Sequence, residues 1–157
     1  MPKAVIVTLA DEVTEILNAK AGSWSQSFVA QRMYQPKREL EDTDTLRVTT
    51  AIAAWRVAPD NRAEWSNEFD IDIGIQFRAG PKSGDQATNK FDELLLLVQQ
   101  ITDYFEDNRP PIAACPLTEI QYGGPAGAPY VPEHIEKLTQ FTSVIRLTFT
   151  KWRDPDA

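Results

Sequence analysis

The stretch FDIDIGIQF, residues 69–77, decides the fold. Phe69, Ile71, Ile73, Ile75 and Phe77 take the odd positions, while Glu68, Asp70, Asp72, Gln76 and Arg78 take the even ones. Successive side chains of a strand point to opposite faces, so this alternation predicts a strand with one apolar and one polar face. Burying each apolar side chain of such a set is worth about 1.5–3 kcal/mol, and a one-residue register slip would forfeit that and bury the acids instead. The isoleucines therefore set the register, and Asp70 and Asp72 follow.

Further strands flank this one in sequence. TLRVTTAIAAW, residues 45–55, is rich in β-branched residues and places Leu46, Val48, Thr50, Ile52 and Ala54 on one face. Turn chemistry at Pro59, Asp60 and Asn61 then leads into a long strand from about Trp65 to Arg78, and two consecutive strands joined by a modest loop are most economically antiparallel neighbours. Upstream, SFVAQRMYQ alternates Phe28, Ala30, Arg32 and Tyr34 against Val29, Gln31 and Met33 until Pro36 ends it. A charged connector follows, with Glu39, Glu41, Asp42 and Asp44 set against Lys37 and Arg38. Near the C-terminus QFTSVIRLTFTKW alternates Phe141, Ser143, Ile145, Leu147 and Phe149 against Thr142, Val144, Arg146, Thr148 and Thr150 and reads as the closing strand.

Two helices complete the pattern. Thr8 with Asp11 three residues on resembles an N-cap, and Leu9, Val13, Ile16 and Leu17 recur at helical spacing, which predicts a helix from about Leu9 to Lys20 stopped by Gly22. Ala4 to Val7 suit either a short strand or an extra helical turn. AGPKSGDQAT reads as a loop, Asn89 as the cap of the second helix with Asp92 and Glu93 in its first turn, and Phe91, Leu94, Leu95, Val98, Ile101 and Phe105 as its apolar stripe. Residues 109–132 are dense in Pro and Gly, leaving room for an edge strand at TEIQY, and VPEHIEKL for one or two helical turns. The order predicts an α+β fold: a single domain over residues 1–157, with one antiparallel sheet of four to five strands and the two main helices on its apolar face.

A chain of 157 residues can bury a real core, and 42% apolar with 25% charged residues favours neither disorder nor a membrane class. Leu94 to Val98 is far short of the roughly 20 apolar residues that span a bilayer. The start, MPKAVIVTLADEV, reads as cytoplasmic, since acids follow the apolar stretch at once. One cysteine, Cys115, and one histidine, His134, exclude an intrachain disulfide and a Cys/His zinc cage built by one chain. The formal charge of −7, without a visible Lys/Arg cluster, argues against tight nucleic-acid binding.

Asp70 and Asp72 are the candidates for chemistry. Carboxylates at i and i+2 on one strand face hold a divalent cation in several nuclease folds, but those sites need a third ligand and usually a lysine or histidine in the motif. Here the strand continues with Gln76 and Arg78, so a polar sheet face is favoured over a metal or catalytic site. GGPAGAP, residues 123–129, lacks the Gly-Lys-Ser/Thr ending of a phosphate loop. His134 has no recognisable nucleophile elbow, and Cys115 has no local basic neighbour to lower its pKa. No cofactor site is expected. Trp24, Trp55, Trp65 and Trp152 fall at strand or loop edges, where they serve either as core corners or as interface anchors.

Taken together, LADEVTEILNAK, SFVAQRMYQPKRELEDTDTLRVTT, FDIDIGIQFR, FDELLLLVQQITDYFEDNR and FTSVIRLTFTKWR resemble the tail terminator, or tail completion, proteins of long-tailed bacteriophages in element order and pattern over nearly the whole chain. The resemblance implies a non-enzymatic virion subunit, assembled in the host cytoplasm, that forms a ring, usually a hexamer, at the head-proximal end of the tail. Such a ring stops tail-tube polymerisation and contacts the tube protein and the neck or head connector. Genomic DNA passes through it without specific binding, and no membrane is involved. Asp70, Asp72, Glu39, Glu41, Asp42 and Asp44 are then candidates to face the lumen or a subunit boundary. Another neck component, such as a head-closure protein, is the alternative of the same class; a metal-dependent nuclease using Asp70 and Asp72 is the alternative from another.

Overall fold

The computed structural model describes residues 2–34, 45–59, 65–78, 85–109, 115–138 and 140–153. In chain order these form α1 (Val5–Ala19), β1 (Ala30–Met33), β2 (Arg47–Pro59), β3 (Trp65–Arg78), α2 (Asp85–Asn108), β4 (Leu117–Tyr122), α3 (Pro132–Leu138) and β5 (Gln140–Arg153). The strands make one sheet in the order β1-β2-β3-β5-β4. The fold is α+β, as the element order predicts.

The faces of β3 alternate in register as the pattern predicts, but both are covered from Phe69 to Ile75. Phe69, Ile71, Ile73 and Ile75 are buried and pair in antiparallel register with Phe149, Leu147, Ile145 and Ser143 of β5. One continuous core joins this face to Ile6, Leu9, Ala10, Val13 and Leu17 of α1 and to Leu94, Leu97, Val98, Ile101 and Phe105 of α2. The i, i+3, i+4 spacing of both sets is what a helix laying one stripe on a sheet requires. Leu97 joins this stripe while Leu96 is exposed, a choice that four consecutive leucines do not reveal by periodicity.

The local expectations differ from the structure in four places. First, β1 runs parallel to β2, with Ala30 opposite Val48 and Met33 opposite Ala51, so the sheet is mixed. A parallel pair needs a connection of about a dozen residues. Residues 34–46 supply that length.

Second, α1 starts at Val5, with extended Ala4 at the N-cap and no side-chain cap; Thr8 instead donates to the Ala4 carbonyl at 3.4 Å. The early start carries Ile6 onto the buried stripe, which outweighs the missing cap.

Third, α2 starts at Asp85, because Asp85 to Thr88 contain neither Gly nor Pro to hold a loop. Fourth, the β2–β3 register shifts between Ile52 and Ala54, leaving Ala53 as a bulge. Ile52 lies opposite Ile71, but Ala54 lies opposite Asp70, so Ala54 shares the acid face instead of the face of Val48.

The Pro/Gly-rich stretch is ordered where it is described. The Gly123 amide donates to the Val144 carbonyl at 2.9 Å and that of Gly124 to Ala128 at 3.1 Å, around a 3-10 turn at Pro125–Gly127. Thr142 then accepts a backbone hydrogen bond from Val131 and meets His134 Nδ1 at 2.9 Å, which ties α3 to β5.

Candidate functional site: the charged face of the sheet

The even face of β3 is charged, and its charges are matched. Asp70 stands opposite Thr148 and Asp72 opposite Arg146 on β5. Arg146 donates from Nε to Asp72 Oδ1 at 2.8 Å and from a terminal nitrogen to Oδ2 at 3.0 Å. Arg56 of β2 holds Asp70 with its two terminal nitrogens, at 2.6 Å to Oδ2 and 3.0 Å to Oδ1, and donates from Nε to Glu68 at 3.0 Å. The Thr148 hydroxyl donates to Asp70 Oδ1 at 2.8 Å. Both aspartates are almost covered, at 2% and 6% exposure, while the two guanidiniums remain partly in water. Fork-to-fork pairs of this kind are the strong form of the ion pair.

The electrostatics follow. Burial by itself pushes the Asp70 carboxyl up, but hydrogen bonds from Arg56 and Thr148 and the charges of Arg56 and Arg146 outweigh it and hold the pKa below the usual carboxylate value. Arg56 is driven further into its charged form by hydrogen bonds to Asp70 and Glu68, and Arg146 by its bonds to Asp72.

The carboxylate oxygens of Asp70 and Asp72 are thus all engaged by protein donors. A cation could take them only by displacing a guanidinium. Among the described residues no three His, Cys, Asp or Glu side chains gather where a metal ion would sit. The arrangement fixes charge and strand register on a sheet face; it offers neither a free base nor an open ligand set.

The other site candidates distribute as follows. Glu39, Glu41, Asp42 and Asp44 lie outside the described residues. Cys115 is buried, and desolvation pushes its thiol pKa up, the opposite of an activated nucleophile. His134 is half-buried against Thr142. Trp24 is a core corner: its indole donates to the Leu17 carbonyl at 3.0 Å and its ring packs edge-on against Tyr104. Trp55, Trp65 and Trp152, with Val57, remain 45–58% exposed, gathered at the end of β2, β3 and β5.

Arg56, Arg146 and Thr148 were not singled out by sequence. Arg146 and Thr148 were within reach, since alternation already puts them on the polar side of the closing strand. Arg56 was not, because only the Ala53 bulge brings it to the acid face. Against family models and against curated proteins the chain finds no match. Fold and face define a two-layer α+β protein whose charged sheet face is held by cross-strand arginine–carboxylate pairs.

Proposed function

We propose that the protein is a structural subunit of a long-tailed phage, a tail terminator that assembles as a ring, with six copies expected, on the head-proximal end of the tail tube. There it ends tube growth and joins the tube to the neck. The observation that carries this reading is the sheet end where Trp55, Val57 and Trp65 stand exposed together on one face, with Trp152 exposed on the other. Clustered exposed aromatics belong to protein interfaces, where such residues dominate binding energy. The engaged carboxylates of Asp70 and Asp72 weigh against the nuclease alternative.

A net charge of −7 suits a conduit through which DNA slides without being gripped. Arg56 and Arg146 offset Asp70 and Asp72 locally, so in this reading repulsion of DNA falls to other acids, with Glu39, Glu41, Asp42 and Asp44 as candidates. No described helix is long and apolar enough to cross a membrane. Localisation at the tail is part of the proposal.

Genetic removal tests it. A phage lacking this protein should accumulate headless tails of uncontrolled length, restored to normal by supplying the protein in trans. Normal-length tails that fail to join heads would identify a head-closure component instead, and normal virions would overturn both.

A further inference from the structure

The exposed tryptophans differ in face, and the difference defines a surface. Trp55 lies opposite the buried Phe69, Val57 opposite Asn67, and Pro59 opposite Trp65. These residues therefore continue the apolar face of the sheet beyond its buried part. Trp55 is fixed there: its ring packs 5.5 Å from that of Phe69 and its indole donates to Asn67 at 3.1 Å. On β5, Lys151 stands opposite Asn67 at the same end. Trp152 faces the other way, paired with Ser66. The patch of Trp55, Val57 and Trp65 is thus apolar, and exposed Lys151 lies on the same face at its edge, on a chain whose net charge is −7.

The complement lies on the same chain. The outward stripe of α2 runs Asp92, Leu96, Gln99, Asp103 and Glu106, all exposed and at i, i+3, i+4 spacing. It carries three carboxylates around one exposed leucine. It is about 21 Å long at 1.5 Å per residue, and the tip strands from Trp55 to Pro59 cover about 14 Å. One surface is apolar and cationic, the other acidic with an apolar centre, and they are different surfaces. Contact between different surfaces of identical copies is head-to-tail, which closes into a ring where the rotation between copies allows and otherwise runs on as a filament. We infer that the Trp55–Val57–Trp65 tip docks on the outward stripe of α2 of a second copy of this chain. The inference rests on the ring reading of the protein but assigns the surfaces independently of any tail tube.

Sedimentation velocity on three proteins tests it: wild type, a tip variant (Val57→Glu with Lys151→Glu) and a helix variant (Asp103→Lys with Glu106→Lys). All changes are at exposed positions, and circular dichroism verifies folding. Wild type should form a closed oligomer, and each variant alone should weaken association at least tenfold and run as monomer. The two variants mixed retain one intact tip and one intact stripe, so they should yield a heterodimer and nothing larger. A tip variant that assembles like wild type, a helix variant that does so, or a mixture that stays monomeric overturns the inference. Tail-tube capping by each protein separates this from the ring reading: a variant that still assembles and still caps tubes overturns the docking surfaces alone. Wild type that neither assembles nor caps overturns both.

Discussion

Arg56 grips both oxygens of Asp70 because the bulge at Ala53 turns the outer half of β2 over by one residue. Without that extra residue, Arg56 would share the face of Ile71 and Ile73, and Asp70 would keep only the Thr148 hydroxyl. A local break in the ladder therefore supplies the counter-charge for a carboxylate that lies almost covered on the face opposite the isoleucines.

Arg56→Met should destabilise the fold by about 1–3 kcal/mol, because it strands a buried carboxylate; the half-exposed guanidinium keeps the loss below that of a fully buried pair. Adding Asp70→Asn should recover part of the loss, since the stranded charge is gone. Urea unfolding of the two single variants and the double variant gives the coupling directly. Strict additivity would mean that the pair contributes nothing as a pair.

Acid should unfold the protein partly through Asp70. Its pKa is held below the ordinary value of about 3.9, so its contribution is fully present above that pH and drains away as pH falls through the lower folded value. Between pH 7 and pH 5 Asp70 should add no slope to stability; below about pH 4 stability should fall, and more shallowly in Asp70→Asn. Urea midpoints at pH 7, 5, 4 and 3 measure this. An equal acid slope in the variant would remove Asp70 from the explanation.

Asn18 at the end of α1 acts as a neighbour for β1: its amide donates to the Ala30 carbonyl at 3.1 Å and accepts from the Ala30 amide at 2.8 Å. Asn18→Ala should cost about 1–2 kcal/mol and expose the Ala30 amide. Hydrogen exchange at Ala30 should speed up in Asn18→Ala, while exchange at Ile73 in the sheet centre should follow only the global change. Unchanged protection at Ala30 would contradict the role.

Gly124 has an ordinary negative φ of −72°, so what it needs is space. A Cβ there would run into the Ala128 carbonyl oxygen and sit 2.8 Å from that of Tyr130, both backbone atoms. Gly124→Ala should cost about 1–3 kcal/mol and loosen the turn after β4. Thermal unfolding together with limited proteolysis should register both effects. Gly127→Ala meets no atom but sits at φ +77°, so it should show strain without a clash.

How much of this was legible in the sequence follows from the range of the forces involved. The period-two pattern of residues 69–77 and 141–149 is a local signal backed by many apolar side chains, and it gave the central strands, their faces and the two-layer arrangement. The parallel pairing of β1 depends on a long connection, which leaves no local mark. The Ala53 bulge lies in an Ala-Ala step that looks like any other strand interior, so the partner of Asp70 stayed hidden while that of Asp72, Arg146, was already implied by alternation. The early start of α1 was masked by Thr8 and Asp11: Asp11 instead pairs with Lys3 at 2.9 Å and Arg32 at 2.6 Å, tying α1 to β1.

The most direct measurement is electron microscopy of the purified protein mixed with tail tubes of its own virus. The account predicts closed rings of one size, seated on a single end of each tube, and tubes that no longer elongate when fresh tube protein is added. Bare tube ends with continued growth, beside a protein that stays monomeric, would contradict it.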